Sequence, residues 1–122
     1  MARLALTATS QPKTGAASPL NLTALLTAGT LGANTGVSFV NTGREVLHIS
    51  MGAGASTVIV NIGTTIEGQS VTAITASLTS SATNIVGPFP SDENQPNGQI
   101  YVDFGTPASV NGVALLQNAG VF

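Results

Sequence analysis

The stretch that decides the fold lies at residues 84–104 and reads NIVGPFPSDENQPNGQIYVDF. It begins with β-branched residues typical of a strand, and Gly87-Pro88 then stops any helix. The prolines on either side of Phe89 cannot donate to a ladder, which places that segment at a sheet edge or corner. A polar loop follows, and Asn97-Gly98 supplies the positive φ angles that turn the chain into the next strand. That strand alternates, with Ile100, Val102 and Phe104 on one face and Tyr101 and Asp103 on the other.

Alternating segments of the same kind recur between residues 36 and 116. Gly43 suits the left-handed position of a hairpin turn, and Asn111-Gly112 interrupts the last strand as a bulge or, alternatively, as a tight hairpin. The predicted strands cover residues 37–40, 45–51, 57–62, 71–78, 85–86, 99–104 and 109–116. Short strands at this spacing predict an all-β fold, an antiparallel β-sandwich or small jelly-roll-like barrel of about seven or eight strands.

The parity of these strands predicts the core. Within each strand, we take the apolar residues that recur at every second position as the inward face. A shift of one residue would move the whole set of a strand to the opposite face. The predicted core comprises Phe39, Leu47, Ile49, Val58, Val60, Ile62, Ile74, Ile85, Ile100, Val102, Phe104 and Leu115.

The first 35 residues lack this clear pattern, so we divide the chain into an extended N-terminal arm (1–35) and a β-sandwich domain (36–122). Residues 4–9 suit a short strand. Ser18-Pro19 suits the start of a short helix, but the period-two alternation that follows favours an extended arm. Glycine and threonine deny the arm a core of its own, so it must lie on this domain or on a neighbour. Its apolar anchors are Leu4, Leu6, Leu20, Leu22, Leu25 and Leu26.

Charge is scarce, since 7% of the residues are charged, against roughly 25% in an average soluble domain. Either the surface is neutral and rich in hydroxyl groups, or partners cover much of it. The formal net charge of -2, with three scattered basic residues, argues against nucleic acid as a partner. The absence of cysteine excludes disulfides and thiolate metal sites. No run of about 18 apolar residues occurs, so we expect no membrane span.

The sequence offers little for catalysis or metal binding. His48 is the only histidine and lies mid-strand among apolar neighbours, so we interpret it as a packed or partner-facing side chain. Asp92 and Glu93, with Asn94 and Asn97 nearby, are an alternative calcium site, but their spacing lacks the order of a dedicated calcium loop. We therefore predict no enzyme activity, no catalytic residue, no cofactor and no bound metal.

Residues 41–49, NTGREVLHI, with the glycine-rich turn and the VIV strand after them, resemble small structural proteins encoded in the head modules of tailed phages. Those chains also have an element like residues 85–90, IVGPFP, and a strand like residues 100–104, IYVDF. The resemblance covers residues 36–116, roughly two thirds of the chain. Members of this group are regarded as capsid decoration (cement) or minor head proteins and carry no catalytic residues.

This resemblance implies a non-enzymatic virion subunit that binds the outer surface of the capsid and stabilises it. It implies the major capsid protein and further copies of this chain as partners, the latter in a homotrimer, because such proteins occupy three-fold positions of a shell. The alternative is a head-fibre or tail-associated β module that binds a host glycan, which the scarcity of aromatic residues disfavours. The partner contacts that we expect are the leucines of the arm and the loop charges Arg44, Asp92 and Glu93.

Overall fold

The computed structural model describes residues 3–10, 21–62, 65–66, 69–70, 73–90 and 94–117. The strands are, in chain order, β1 (Arg3–Ala5), β2 (Thr9–Ser10), β3 (Gly36–Val40), β4 (Glu45–Met51), β5 (Ser56–Asn61), β6 (Thr65–Ile66), β7 (Gln69–Ser70), β8 (Ile74–Leu78), β9 (Thr83–Val86), β10 (Gln99–Phe104) and β11 (Val110–Gln117). An α-helix, α1 (Leu22–Ala28), and a short 3-10 helix at Pro107–Ser109 complete the described elements.

Most of the strands belong to two sheets, and the predicted all-β sandwich is confirmed. The first sheet has five strands in the order β1-β3-β10-β5-β8, and the second has four in the order β2-β11-β4-β9. A separate two-stranded ladder joins β6 and β7. The pairs β1–β3 and β2–β11 are parallel, which the sequence did not predict, whereas the other described pairs are antiparallel.

A hydrophobic core lies between the two sheets and confirms the predicted parity in most strands. Phe89 joins this core, with its ring centroid 5.4 Å from that of Phe39. Each fully buried large apolar side chain stabilises the fold by about 1.5–3 kcal/mol. The predicted core residues that are buried are Phe39, Leu47, Ile49, Val58, Val60, Ile100, Val102, Phe104 and Leu115.

The core prediction is wrong at Ile62, Ile74 and Ile85. Ile62 is half-buried, whereas Ile74 is 47% exposed and Ile85 is 65% exposed. β8 and β9 are the last strands of their sheets, so neighbouring strands cover their side chains from one side only. In β9 the parity is also shifted by one residue, because Val86 packs against the core while Ile85 does not.

The predicted left-handed backbone is confirmed at Gly43 and Gly98 and is wrong at Asn97, because Ser81 is the described non-glycine residue with a positive φ. Gly43 and Gly98 have φ angles of 87° and 80°, in the left-handed region that favours glycine. The hairpin predicted at Gly43 is wrong, because β3 and β4 lie in different sheets. The register of β11 against β4 shifts between Val110 and Gly112, so the interruption there is a bulge.

The preference for an extended chain over residues 20–27 is wrong, because Leu22–Ala28 form α1. The helix begins after Asn21, whose Oδ1 accepts a hydrogen bond from the Ala24 amide at 3.2 Å. Leucine and alanine also have high helix propensity, and the buried side chain of the helix is Leu26. Local capping therefore outweighs the short alternating pattern.

α1 packs against the face of β11 opposite the core. The Val113 amide donates a hydrogen bond to the Gly29 carbonyl at 2.9 Å, just after the helix ends. A Cβ at Gly112 would collide with the Leu26 carbonyl oxygen, so only glycine permits this close approach. Gly112, in the bulge of β11, is thus also the residue against which the backbone of α1 packs.

Candidate functional site

The described part of the arm packs on the sheets of its own chain. Leu4 in β1 and Leu6 just after it are half-buried and pack against the core. In α1, Leu26 is buried, while Leu22 and Leu25 are half-buried. The expected contact residues outside the described residues are Leu20, Asp92 and Glu93. Within the chain, the described residues of the arm therefore lie on this domain.

Residues 3–10 cross from one sheet to the other, and we call this segment the N-terminal clasp. β1 pairs with β3 at the edge of the five-stranded sheet, and the Leu6 amide extends the pairing by donating to the Ser38 carbonyl at 2.8 Å. β2 then pairs with β11 at the edge of the four-stranded sheet. One short segment thus closes both sheets on the same side of the sandwich.

Arg3, the first residue of β1, anchors the clasp. Its Nε donates to Asp103 Oδ1 at 2.9 Å and its Nη2 donates to Asp103 Oδ2 at 2.8 Å, which makes a bidentate ion pair. The Asn61 side chain donates to the same carboxylate at 2.6 Å, and the Arg3 guanidinium lies 4.5 Å from the centre of the Tyr101 ring. Asp103 is only 8% exposed, so these contacts are needed to offset the cost of burying its charge.

Gly36 of β3 makes this ion pair possible. It lies between the partners in register, because Arg3 is paired with Gly36 and Gly36 is paired with Asp103. A Cβ at position 36 would collide with Asp103 Oδ1 and with the Val102 carbonyl oxygen. The absent side chain leaves the gap through which Arg3 reaches across β3 to β10.

A buried carboxylate, Glu45, lies beside the clasp at the start of β4. Glu45 is 1% exposed and accepts hydrogen bonds from the Thr42 amide at 2.6 Å, the Thr42 hydroxyl at 2.7 Å and Gln117 Nε2 at 2.7 Å. Burial raises the pKa of Glu45, but these hydrogen bonds outweigh it and hold the pKa below its usual value of 4.5. Residues 6–8 of the clasp line a groove of about 300 Å³ together with Glu45 and Gln117.

A second groove, of about 570 Å³, lies beside the turn between β3 and β4. Asn41 lines this groove. Its Nδ2 donates hydrogen bonds to the Phe89 carbonyl at 3.1 Å and to Asn94 Oδ1 at 2.7 Å. The Oδ1 of Asn41 accepts a hydrogen bond from the Gly43 amide at 2.9 Å. Phe89 also lines the groove, but it is only 3% exposed, so Pro88 and Pro90 are the exposed ring-bearing residues of the lining. The Phe89 ring therefore offers a sugar little surface on which to stack.

His48 lies on the face of β4 opposite the core, in register with Ala114 of β11 and Ile85 of β9. Burial lowers the pKa of His48 below 6.5, and its buried Nδ1 has no hydrogen-bond partner among the described residues. The same part of the chain holds no group of three or more His, Cys, Asp or Glu side chains arranged to bind a metal ion. The half-buried apolar setting fits the interpretation of His48 as a packed side chain.

The described surface is almost without charge. Among the charged residues that the structure describes, Arg3 and Asp103 are paired with each other and Glu45 is buried. Of the four charged residues that the structure describes, Arg44, in the turn between β3 and β4, is the exposed residue. The charged groups of the described chain therefore serve mainly to hold its own segments together.

Comparison of the chain with models of protein families, with curated proteins and with solved structures found no match in any of the three. The described residues include no helix with the length and hydropathy that a membrane span requires. What the chain offers for function is therefore its own geometry: the clasp, the groove at the β3–β4 turn and a described surface that is nearly uncharged.

Sequence reasoning missed the roles of Arg3, Gly36 and Asp103. In the sequence, Arg3 is one of three scattered basic residues, and nothing near it links it to Asp103. A signal exists at the other end of the pair, because Asp103 interrupts a largely apolar strand and a buried carboxylate needs a partner. The strand order, which places β3 between β1 and β10, is required to identify that partner.

Proposed function

We propose that this protein is a non-enzymatic structural subunit of a virion, which binds the outer surface of a tailed-phage capsid and stabilises it. The observation that carries the proposal is the scarcity of charge on the described surface, where Arg44 alone of the described charged residues is exposed. Such a surface suits extensive contact with other subunits, because charged residues are depleted at the cores of interfaces and little charge keeps copies apart. The resemblance of residues 36–116 to phage head proteins supports the major capsid protein as the partner.

The contact surface that we propose is the end of the sandwich with the β3–β4 turn. Leu4, Leu6 and Leu26 of the described arm pack within the chain, so we place the contact mainly on groups that are exposed. At this end, Val40 is 61% exposed, Arg44 is exposed, and Pro88 and Pro90 line the groove beside them. Among the described residues of this end, Arg44 is the charged one, and the apolar and prolyl groups around it can bury surface on a partner at little cost in desolvation.

The test is binding to empty shells assembled from the major capsid protein of the same genome. Purified protein is mixed with the shells and sedimented through a sucrose gradient, and the bound copies are counted from stained gels. We expect saturable binding, and decorated shells that disrupt at a higher temperature than bare shells. Sedimentation of the protein apart from the shells at every concentration would contradict the proposal.

Two exposed positions at opposite ends of the sandwich give a matched pair of variants. Arg44→Glu places a carboxylate on the proposed contact surface and should weaken binding to the shells. Ala108→Glu adds the same group in the 3-10 helix, at the far end of β10, and should leave binding unchanged. Equal binding by both variants would place the contact elsewhere on the molecule.

A further inference from the structure

The outer edge of β8 differs from the other three edges of the two main sheets. Proteins protect edge strands from pairing with other chains by short length, charge and proline. β1 carries Arg3, β2 is two residues long, and β9 is followed directly by Gly87-Pro88. β8 has five residues, ITASL, without charge or proline, and no described strand pairs with its outer edge.

The side chains of β8 are exposed even on the face that looks toward the second sheet. That face carries Ile74, Ala76 and Leu78, because Ile74 is paired with the inward-facing Val60 and Ala76 with the inward-facing Val58. Leu78 is buried, whereas Ala76 is exposed and Ile74 is 47% exposed. A strand added beyond β8 would cover the apolar surface that remains.

The residue order of β8 is self-complementary in the antiparallel sense. When a second β8 is turned end for end about Ala76, Ile74 lies opposite Leu78, Thr75 lies opposite Ser77, and Ala76 lies opposite itself. Apolar residues then meet apolar residues and hydroxyl groups meet hydroxyl groups. Cross-strand pairs of these kinds stabilise antiparallel sheets, so a second copy of β8 is a fitting partner for this edge.

We propose that β8 forms an interface between two copies of this chain. The two β8 edges pair antiparallel about a two-fold axis that passes midway between the two Ala76 residues. The two five-stranded sheets then join into one continuous sheet, and Leu78 of each copy covers Ile74 of the other. The contact is small, so the dimer forms reversibly and depends on concentration. It is a two-fold contact, unlike the trimer that the family resemblance implies, and it does not depend on attachment to a capsid.

The first test measures the mass of the full chain by analytical ultracentrifugation over a wide range of concentrations. We expect a monomer–dimer equilibrium. Ala76→Lys and Ala76→Glu each place like charges opposite one another across the axis, so each variant alone should be monomeric at concentrations where the unaltered protein is dimeric. An equimolar mixture of the two should restore the dimer, which shows that both variants are folded. Thr83→Lys, at an exposed site in β9, is the control and should leave the dimer intact.

Two results of this first test would overturn the proposal. One is a monomer at every concentration, and the other is a dimer or trimer whose mass Ala76→Lys leaves unchanged. If the chain is monomeric and Ala76→Lys reduces its binding in the shell assay, a capsid strand is the occupant of the β8 edge.

The second test fixes the register with single cysteines, since the chain has none of its own. Position 76 is the one position of β8 that faces its own counterpart, so Ala76→Cys should be oxidised efficiently to a disulfide-linked dimer. In Thr75→Cys each cysteine faces Ser77 and lies diagonally about 7–8 Å from the other cysteine, too far for a disulfide, so it should be oxidised to a dimer much less. Equal yields for the two variants would show random collision or another register, and the proposed pairing would be wrong.

Discussion

At one side of the sandwich a single N-terminal segment pairs with both sheets, whereas at the opposite side β8 and β9 leave the two sheets open. The closed side has a bidentate ion pair, Arg3–Asp103, and a buried carboxylate, Glu45, that accepts hydrogen bonds from two residues. The open side has exposed isoleucines, Ile74 and Ile85, and no charged residue in either strand.

The difference shows that three of the four charged residues described by the structure, Arg3, Glu45 and Asp103, lie at the closed side. A strand of three residues has only a few backbone hydrogen bonds to hold it, so a directional ion pair adds both energy and orientation. A five-residue strand continuous with the fold needs no such tether, and its uncharged edge remains able to accept another strand. One edge is therefore sealed within the chain, and the other is left in a form that suits a partner.

The largest effect on this comparison should come from Arg3→Ala. The change leaves the buried Asp103 carboxylate with Asn61 as its remaining side-chain donor, so we expect a loss of about 1–3 kcal/mol in the free energy of unfolding. The clasp should also become cleavable in limited proteolysis. Urea denaturation monitored by circular dichroism gives the free energy, and mass spectrometry of the digest identifies the cleaved bonds.

Arg44→Ala is the matched control for this prediction, because it removes the same side chain from an exposed turn. Its effect should stay within about 0.5 kcal/mol. Arg3→Lys keeps the charge but loses the two-pronged geometry, so it should fall between the two. If Arg3→Ala is as mild as Arg44→Ala, the ion pair is not what closes this edge.

A smaller effect on the closed edge should come from acid, through Glu45. Its pKa in the folded protein lies below the usual 4.5, so the carboxylate stabilises the fold above that pH. This contribution is lost as the pH falls through the folded-state pKa. Glu45→Gln removes the titrating group, so the variant should be less stable than the unaltered protein at neutral pH, and the two should converge in acid.

The measurement for Glu45 is urea denaturation of both proteins from neutral pH to about pH 3. The difference between them isolates Glu45 from the other carboxylates of the chain. A difference that is independent of pH would mean that the Glu45 carboxylate is not preferentially stabilised in the folded state.

The smallest effect should come from the open edge. Ile74→Ser replaces a side chain that is 47% exposed at the start of β8, so the unfolding free energy of the dilute protein should change by no more than about 0.5 kcal/mol. Thermal and urea denaturation at low concentration measure the fold without self-association. A loss above about 1.5 kcal/mol in the free energy of unfolding would show that Ile74 is buried within the chain. The β8 edge would then be covered, as the clasp edge is.

The central strands were predictable from sequence, and the edges were not. In β4, β5 and β10, burial on one face imposes the alternation that the sequence displays, so Leu47, Val58 and Ile100 were placed correctly. In β8 and β9 one side of each strand is open, and burial no longer dictates which residue faces inward. α1 was missed because a short leucine-rich segment fits both the strand period of two residues and the helix period of about 3.6. Its packing against Gly112 is a tertiary contact that local sequence does not reveal.

The candidate site was predictable only in part. The exposure of Arg44 in a turn follows from local sequence, as does the positive φ of Gly43. The clasp depends on strand order. The absence of a side chain at Gly36 matters only because β3 lies between Arg3 of β1 and Asp103 of β10. One sequence carries no signal of that order.

The Arg3–Asp103 pair joins residues that are 100 positions apart, which sets the order in which a chain emerging from the ribosome can close its fold. Arg3 is synthesised first, yet it has no counter-ion until β10 has been made and paired with β3. Sheets whose neighbours are this distant in sequence fold slowly, on the millisecond to second scale. The N-terminal clasp can therefore be completed only after β10 and β11 have been made, and until it docks, the edges of β3 and β11 are open to pairing with another nascent chain.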